Sequence, residues 1–316
     1  MSKGDIMKIV FMGTPEFGVK ILNALVLKHE VVLVVTQPDK LVGRKQILEY
    51  SPVKKRALEL GIEVYQPESI RKEYEYIINN FEFDLIVSAA YGQIVGTKLL
   101  FYPKYKSINV HASLLPKGRG GAPIQRAIIN GDKETGISIM YMEKGMDTGD
   151  ILSQEKIDIL DTDTSISLFE KLGTLGAKMI NQTIDDLEQG NIKPINQNEE
   201  MVTYTYALTK EDEMLDFSQS AFLVNARVRG LAPIAATFML NGISYKVYKL
   251  EIINELTNMP YGSISEVGKK YFNVACGDHL QVRVNEIKPE GKNLMSVGDF
   301  LNGKGKNIII KGNKLD

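Results

Sequence analysis

The sequence predicts an α/β chain: a doubly wound, mostly parallel sheet followed by a small antiparallel β-barrel. Three observations predict it. Short apolar runs alternate with helical patterns over the first part of the chain, which is how a parallel sheet with covering helices is written. Two polar residues that stand out, Asn109 and His111, fall at the end of one such run, and sheets of this kind bind ligands at the carboxyl ends of their strands. Beyond about residue 210, short β-like runs follow one another between Asn-Gly, Gly-Lys and Gly-Asp turns, a small-barrel pattern.

Taken in order, Lys8–Gly13 is an apolar strand leading into Gly-Thr-Pro and a helical pattern to about residue 28. Strand, glycine turn and helix open a mononucleotide-type βαβ unit. The turn lacks the G-x-G-x-x-G fingerprint, so a nicotinamide dehydrogenase is the weakest option. Residues 31–36 are continuously apolar, as suits a strand buried on both faces. A basic loop follows, with Lys40, Arg44 and Lys45, into a helix capped by Ser51 with Pro52 at its first position. On composition alone this is a solvated loop. Residues 62–65 and 84–90 are further strands, with an amphipathic helix over 68–81 between them.

The stretch 107–150 is the most informative. It opens with the strand Ser107–His111, on which Asn109 and His111 share a face because side chains alternate. A loop with Pro116, Gly118, Gly120 and Gly121 follows, then a short helix from Pro123, an apolar run over 137–142 and a turn holding Asp147. Histidine trades protons near neutral pH, asparagine offers an amide dipole to an anionic oxygen, and a carboxylate beside a histidine fixes its tautomer. The same residues also suit a strand-end histidine with one backbone hydrogen bond and an aspartate that serves only its turn. Spacing alone leaves both open.

Residues 151–159 predict another strand, and Asp163 or Thr164 caps a long helix to about residue 189. Its apolar side reads as scaffold. A polar run after Gly190 places a linker at 190–209. From residue 210, a helix over 218–231 precedes β-like runs at 235–240, 244–250, 263–267, 271–275, 280–287 and 308–310. Lys304, Lys306, Lys311 and Lys314 make the carboxyl end basic. The domains expected are therefore 1–189, a linker, and 210–316.

The net charge of −1 and pI near 6.4 exclude a strongly basic nucleic-acid coat. Cys276 is the only cysteine, so no intrachain disulfide forms, and the three histidines have no metal-ligand spacing. No metal is expected. No apolar run is long enough for a signal peptide or a membrane span. These features fit a cytoplasmic setting; a monomer is expected, though nothing in the composition dictates it.

Three motifs carry a resemblance: NVHASLLPKGRGGAPIQ at 109–125, GDKETG at 131–136 and MDTGD at 146–150. They resemble the signature of the folate-dependent formyltransferases, a Rossmann-like catalytic domain with an OB-like barrel after it. QPDKLVGR at 37–44 and SPVK at 51–54 are similar to the branch that acts on initiator methionyl-tRNA. The resemblance covers nearly the whole chain. It implies 10-formyltetrahydrofolate as formyl donor and initiator methionyl-tRNA as acceptor. It implies catalytic roles for Asn109, His111 and Asp147, and folate contacts from the backbone of Ser113, Leu114, Leu115 and Pro116. Arg44 matches the arginine that touches the tRNA acceptor end, and the barrel is expected to contact tRNA as well. Where the family usually has an aromatic residue this chain has Gly118. Two other functions fit the scaffold: formyl transfer to an amino sugar nucleotide, and non-catalytic RNA binding.

Overall fold

The structure is a computed structural model and describes residues 6–42 and 46–315. Seven strands form the central sheet: β1 Lys8–Gly13, β2 Glu30–Val35, β3 Val64–Tyr65, β4 Leu85–Ala89, β5 Ser107–His111, β6 Glu134–Tyr141 and β7 Ile151–Asp158. Their order is β7-β6-β5-β4-β1-β2-β3. Strands β1 to β5 pair in parallel and β6 runs antiparallel to β5. The chain builds outward from β1 on one side and then returns to its other side at β4. That reversal between β1 and β4 is the switch point at which such sheets open a crevice.

The reason these runs are strands is burial on both faces. Every residue of β4 is buried, as are most of β1 and β2, and isolated apolar runs of this length have no other way to cover both sides. Helix α1, Glu16–Val26, covers one face. Helix α2, Pro52–Glu59, starts where expected: Ser51 Oγ accepts from the Lys54 N–H at 3.0 Å. The expected helix over 68–81 is two pieces, Ile70–Glu73 and Glu75–Asn80, with Tyr74 between them. The basic loop after β2 holds a small antiparallel hairpin, Lys40–Val42 with Ile47–Glu49. Three of its basic neighbours face carboxylates: Lys54 with Asp39 at 2.5 Å, Lys55 with Glu49 at 3.6 Å and Arg56 with Glu59 at 2.8 Å. Arg44 lies outside the described residues.

Two compact units emerge. The first holds Met1–Gly120, Thr135–Ile157 and Phe169–Thr205. The second holds Gly121–Glu134, Asp158–Leu168 and Tyr206–Asp316. The segment expected as a linker is divided between them, 190–205 to the first and 206–209 to the second. It is also structured: Tyr204–Thr205 pairs in parallel with Arg119–Gly120, and Ile195 bridges Ile151.

In the second unit, eight strands form two four-stranded antiparallel sheets: β8 Ala236–Leu240, β9 Ile243–Val247, β10 Glu251–Ile253, β11 Ile264–Val267, β12 Phe272–Ala275, β13 Gln281–Val284, β14 Glu286–Pro289 and β15 Met295–Ser296. The orders are β8-β9-β14-β15 and β10-β13-β12-β11. The chain passes from one sheet to the other at Asn285, between β13 and β14. Phe238 stacks on Tyr245 with centroids 5.2 Å apart and meets Phe272 edge-on at 6.3 Å, so one apolar core serves both sheets. Residues 308–310, expected as a strand, instead follow a 3₁₀ turn at Lys304–Asn307. Ile309 is buried there without alternation.

Helix Pro123–Ile129, just after the motif loop, belongs to this unit. Its Arg126 grips Asp212 with both terminal nitrogens, at 2.6 and 2.7 Å. The guanidinium holds the Asp212 carboxyl below its ordinary value. A depressed carboxyl stabilises the fold above its unfolded value near pH 4, and that stability is lost as pH falls through the folded value. Asp212→Asn is therefore expected to cost about 1–3 kcal/mol at pH 7. It should also flatten the acid side of a stability-against-pH curve from urea melts.

Candidate active site

Strand β5 sits inside the sheet, paired to β4 and β6. Asn109 lies opposite Ser88 and Met140, and His111 opposite Ser138. Both point to one face by alternation. Asn109 is half-buried and His111 is 6% exposed. The loop after β6 folds back over β5 and brings Asp147 to the histidine: Nδ1 of His111 is 3.8 Å from Oδ2 of Asp147. That is longer than a hydrogen bond.

The other ring nitrogen fixes the tautomer. Nε2 of His111 lies 2.9 Å from the Gly118 carbonyl. A carbonyl only accepts, so Nε2 carries its proton permanently. Nδ1 is consequently the nitrogen that faces Asp147. Oδ2 of Asp147 also accepts from the Gly120 N–H at 2.8 Å. The carboxylate is thus placed by the Gly120 N–H while it faces His111.

Glycine is needed in this loop for space. A Cβ on Gly120 would sit 2.5 Å from the Thr205 carbonyl, and its φ is +117°. Gly118 takes φ +77°. Its carbonyl serves His111 and also accepts from Thr205 Oγ1 at 3.2 Å, while its N–H donates to Thr203 Oγ1 at 2.9 Å.

A cleft of about 210 Å³ opens beside Asn109 and Asp147. Its walls are mostly apolar, with Ile94, Val95, Leu100, Met140 and Met142 among the lining residues. Gln93 also lines it but is committed to the fold: its Oε1 accepts from the Ile70 N–H at 2.8 Å and its Nε2 donates to the Pro67 carbonyl at 3.1 Å. Among the described residues, no group of three or more His, Cys, Asp or Glu side chains is placed to hold a metal ion. No helix among them is long and apolar enough to cross a membrane.

The structure brings Asn109, His111 and Asp147 together. It does not set Ser113, Leu114, Leu115 and Pro116 on the wall of that cleft. Their backbone is largely in use. Leu115 N–H donates to Ser138 Oγ at 3.1 Å, Ser138 Oγ donates to the Ser113 carbonyl at 2.7 Å, and Gln154 Nε2 donates to the Leu115 carbonyl at 3.0 Å. Sequence reasoning missed the cleft walls at 94–100 and 140–142. Their apolar side chains carry the same signal as core residues.

Comparison with known proteins gives the family. Residues 7–184 match the formyl transferase family, and residues 207–305 match the C-terminal domain of formyl transferases. The chain is 44% identical over 304 residues to the methionyl-tRNA formyltransferase of Pediococcus pentosaceus, covering 95% of each. It is 43% identical over 308 residues to that of Enterococcus faecalis, covering 96% of this chain and 98% of the relative. Among solved structures it is similar to an N-formyltransferase from Helicobacter canadensis in complex with folinic acid and dTDP-3-aminofucose, with a TM-score of 0.66, 20% identity and coverage of 89% and 99%. It is also similar to HypX from Aquifex aeolicus in complex with tetrahydrofolic acid, with a TM-score of 0.64, 15% identity and coverage of 96% and 48%. Those two likenesses show the fold alone. On the sequence matches, this chain belongs to the formyl transferase family.

Proposed function

We propose that this chain transfers a formyl group from 10-formyltetrahydrofolate to the α-amine of methionine on initiator methionyl-tRNA, in the cytoplasm, for initiation of translation. The observation that carries the chemistry is the Asp147 carboxylate 3.8 Å from His111, beside a cleft that Asn109 lines. Near-full-length similarity at 43–44% identity to methionyl-tRNA formyltransferases supports the acceptor. An amino sugar nucleotide as acceptor has only the distant fold likeness behind it.

The residues present fit a folate. The cleft offers mostly apolar walls to a flat ring, with the polar side chains of Asn109 and Asp147 also on its lining. The folate supplies an electrophilic formyl carbon whose oxygen gains negative charge as the amine adds. Asn109 donates an N–H to that oxygen. His111, when protonated, stabilises the same charge. Asp147 orients the imidazole and helps move the proton from the attacking to the leaving nitrogen, through water. This route needs no covalent enzyme intermediate. The loop 113–116 is assigned to folate contact on the family pattern, with Leu114 the residue in it whose side chain is not fully buried alongside Pro116.

Arg44 is assigned to the tRNA acceptor end, and residues 210–316 to a second tRNA contact. Lys54, Lys55 and Arg56 pair with carboxylates, and the tRNA assignment rests on Arg44 through the family pattern. Arg44→Ala is expected to raise the Michaelis constant for tRNA about tenfold, the scale of one lost charge-assisted contact, and to leave folate affinity unchanged. Weakened folate binding with unchanged tRNA kinetics would reverse the assignment. The function itself is tested by offering labelled formyl donor with charged initiator tRNA, charged elongator tRNA and an amino sugar nucleotide. Label on the initiator alone supports the proposal; label on the sugar replaces it.

A further inference from the structure

The segment 195–205 meets the catalytic turn at Asp147 through one side chain, Gln197. Gln197 is 4% exposed. Its Nε2 donates to two carbonyls of the catalytic turn, Asp147 at 2.8 Å and Gly149 at 2.7 Å. Its Oε1 accepts from Arg119 Nε at 3.0 Å. A guanidinium only donates, so Arg119 dictates which way the amide faces: oxygen toward itself, nitrogen toward the turn. Arg119 is in turn held from outside, with Glu199 accepting from its two terminal nitrogens at 2.8 and 3.3 Å.

The turn needs such a clamp. Asp147 has φ +54°, a left-handed conformation uncommon outside glycine and one that persists only where the surroundings enforce it. Gln197 grips the carbonyls on both sides of Thr148. The neighbouring strap completes the geometry: Thr203 and Thr205 fix Gly118, the partner of His111, and the Tyr204–Thr205 ladder fixes Gly120, the partner of Asp147. Both groups that meet at 3.8 Å are thereby set by one segment.

We propose that Gln197, oriented by Arg119, is a positioning residue that holds the Asp147 turn so that its carboxylate stays against His111. This deepens the function proposed above and rests on Asp147 acting in it. Two variants separate positioning from simple stapling. Gln197→Leu removes the whole amide, and Gln197→Glu keeps the shape and the Arg119 contact but loses both donors.

With charged initiator tRNA and formyl donor, each is expected to lower kcat about 100-fold, the scale of a small misplacement of reacting groups, with both Michaelis constants little changed. The decisive readout is a double-mutant cycle with Asp147→Asn. If Gln197 acts through Asp147, its substitution costs almost nothing further in the Asp147→Asn background. Unchanged kcat in the single variants, a loss confined to the Michaelis constants, or the full loss repeated in the Asp147→Asn background would each overturn the proposal. So would failure of both variants to melt cooperatively by circular dichroism, which would make Gln197 a residue of the fold. Asp147→Asn measured alone reports separately on the underlying function: wild-type activity there removes Asp147 from the chemistry whatever Gln197 does.

Discussion

Alanine at position 111 is expected to leave a folded protein that transfers formyl groups about 100- to 10,000-fold more slowly, the range for loss of a positioned proton-transfer group. Folding should survive because the partners of His111 are not orphaned. The Gly118 carbonyl keeps its hydrogen bond from Thr205 Oγ1, and the Asp147 carboxylate keeps the one from the Gly120 N–H. What disappears is the imidazole whose Nδ1 stands beside that carboxylate. The loss should fall on kcat, with little change in the Michaelis constant for either substrate, because the charge being stabilised exists only as the amine adds. Rapid-quench formylation alongside a thermal melt checks this. A folded His111→Ala protein within about threefold of wild type would show that the 3.8 Å contact is an ornament of the turn.

Much of the fold could be read from the chain because the central sheet is written in one unambiguous signal. Runs such as 31–36 and 84–90 are apolar without alternation, and the structure buries β4 completely. Helix starts were equally plain where a hydroxyl does the capping: Ser51 caps α2, and Thr164 Oγ1 accepts from the Ser167 N–H at 3.3 Å at the head of the long helix Ser165–Glu188. The misses have physical causes. The hairpin at Lys40–Val42 and Ile47–Glu49 is held by local backbone pairing while Leu41, Ile47 and Leu48 stay exposed. No burial pattern marks it. Residues 308–310 are apolar because Ile309 plugs the core of the second unit after a 3₁₀ turn, and a β-branched run looks the same whether it alternates or plugs. The amphipathic run at 68–81 kept its apolar spacing across the break at Tyr74, since two short helices on one surface repeat nearly the same period.

The site was legible in its chemistry and opaque in its support. Asn109, His111 and Asp147 are polar residues in a glycine-rich motif, and it is the motif's resemblance to a formyltransferase signature, more than residue type or spacing, that singles them out. Gln197 stands in a polar run with Asn196 and Asn198, which reads as solvated chain. Its role depends on carbonyls some fifty residues earlier in sequence, at Asp147 and Gly149. Sequence spacing carries no trace of that contact. The cleft walls were hidden for the opposite reason: Leu100 and Met140 are buried side chains that also line an opening, and one apolar residue serves a core and a ligand equally well.

The second large effect belongs to Asn109. Asn109→Ala is expected to lower kcat about 100- to 1,000-fold, or about 2.7–4 kcal/mol of barrier, the cost of removing one preorganised donor from a developing oxyanion. The donor is preorganised because β5 is clamped between β4 and β6, with Asn109 opposite Ser88 on one side and Met140 on the other. A side chain on an interior strand needs no loop to close before it can act. Among the described residues its amide has no side-chain hydrogen bond to the rest of the protein, so truncation orphans nothing and should leave the melting temperature nearly unchanged. Asn109→Asp separates the donor from the mere presence of a polar group. It preserves size but replaces the N–H with a second acceptor and sets a negative charge against a growing one, so it should be slower than Asn109→Ala. If Asn109→Asp instead retains more activity than the alanine variant, the group at 109 is acting as a base or as a contact to the amine, and the oxyanion must be held by His111 alone.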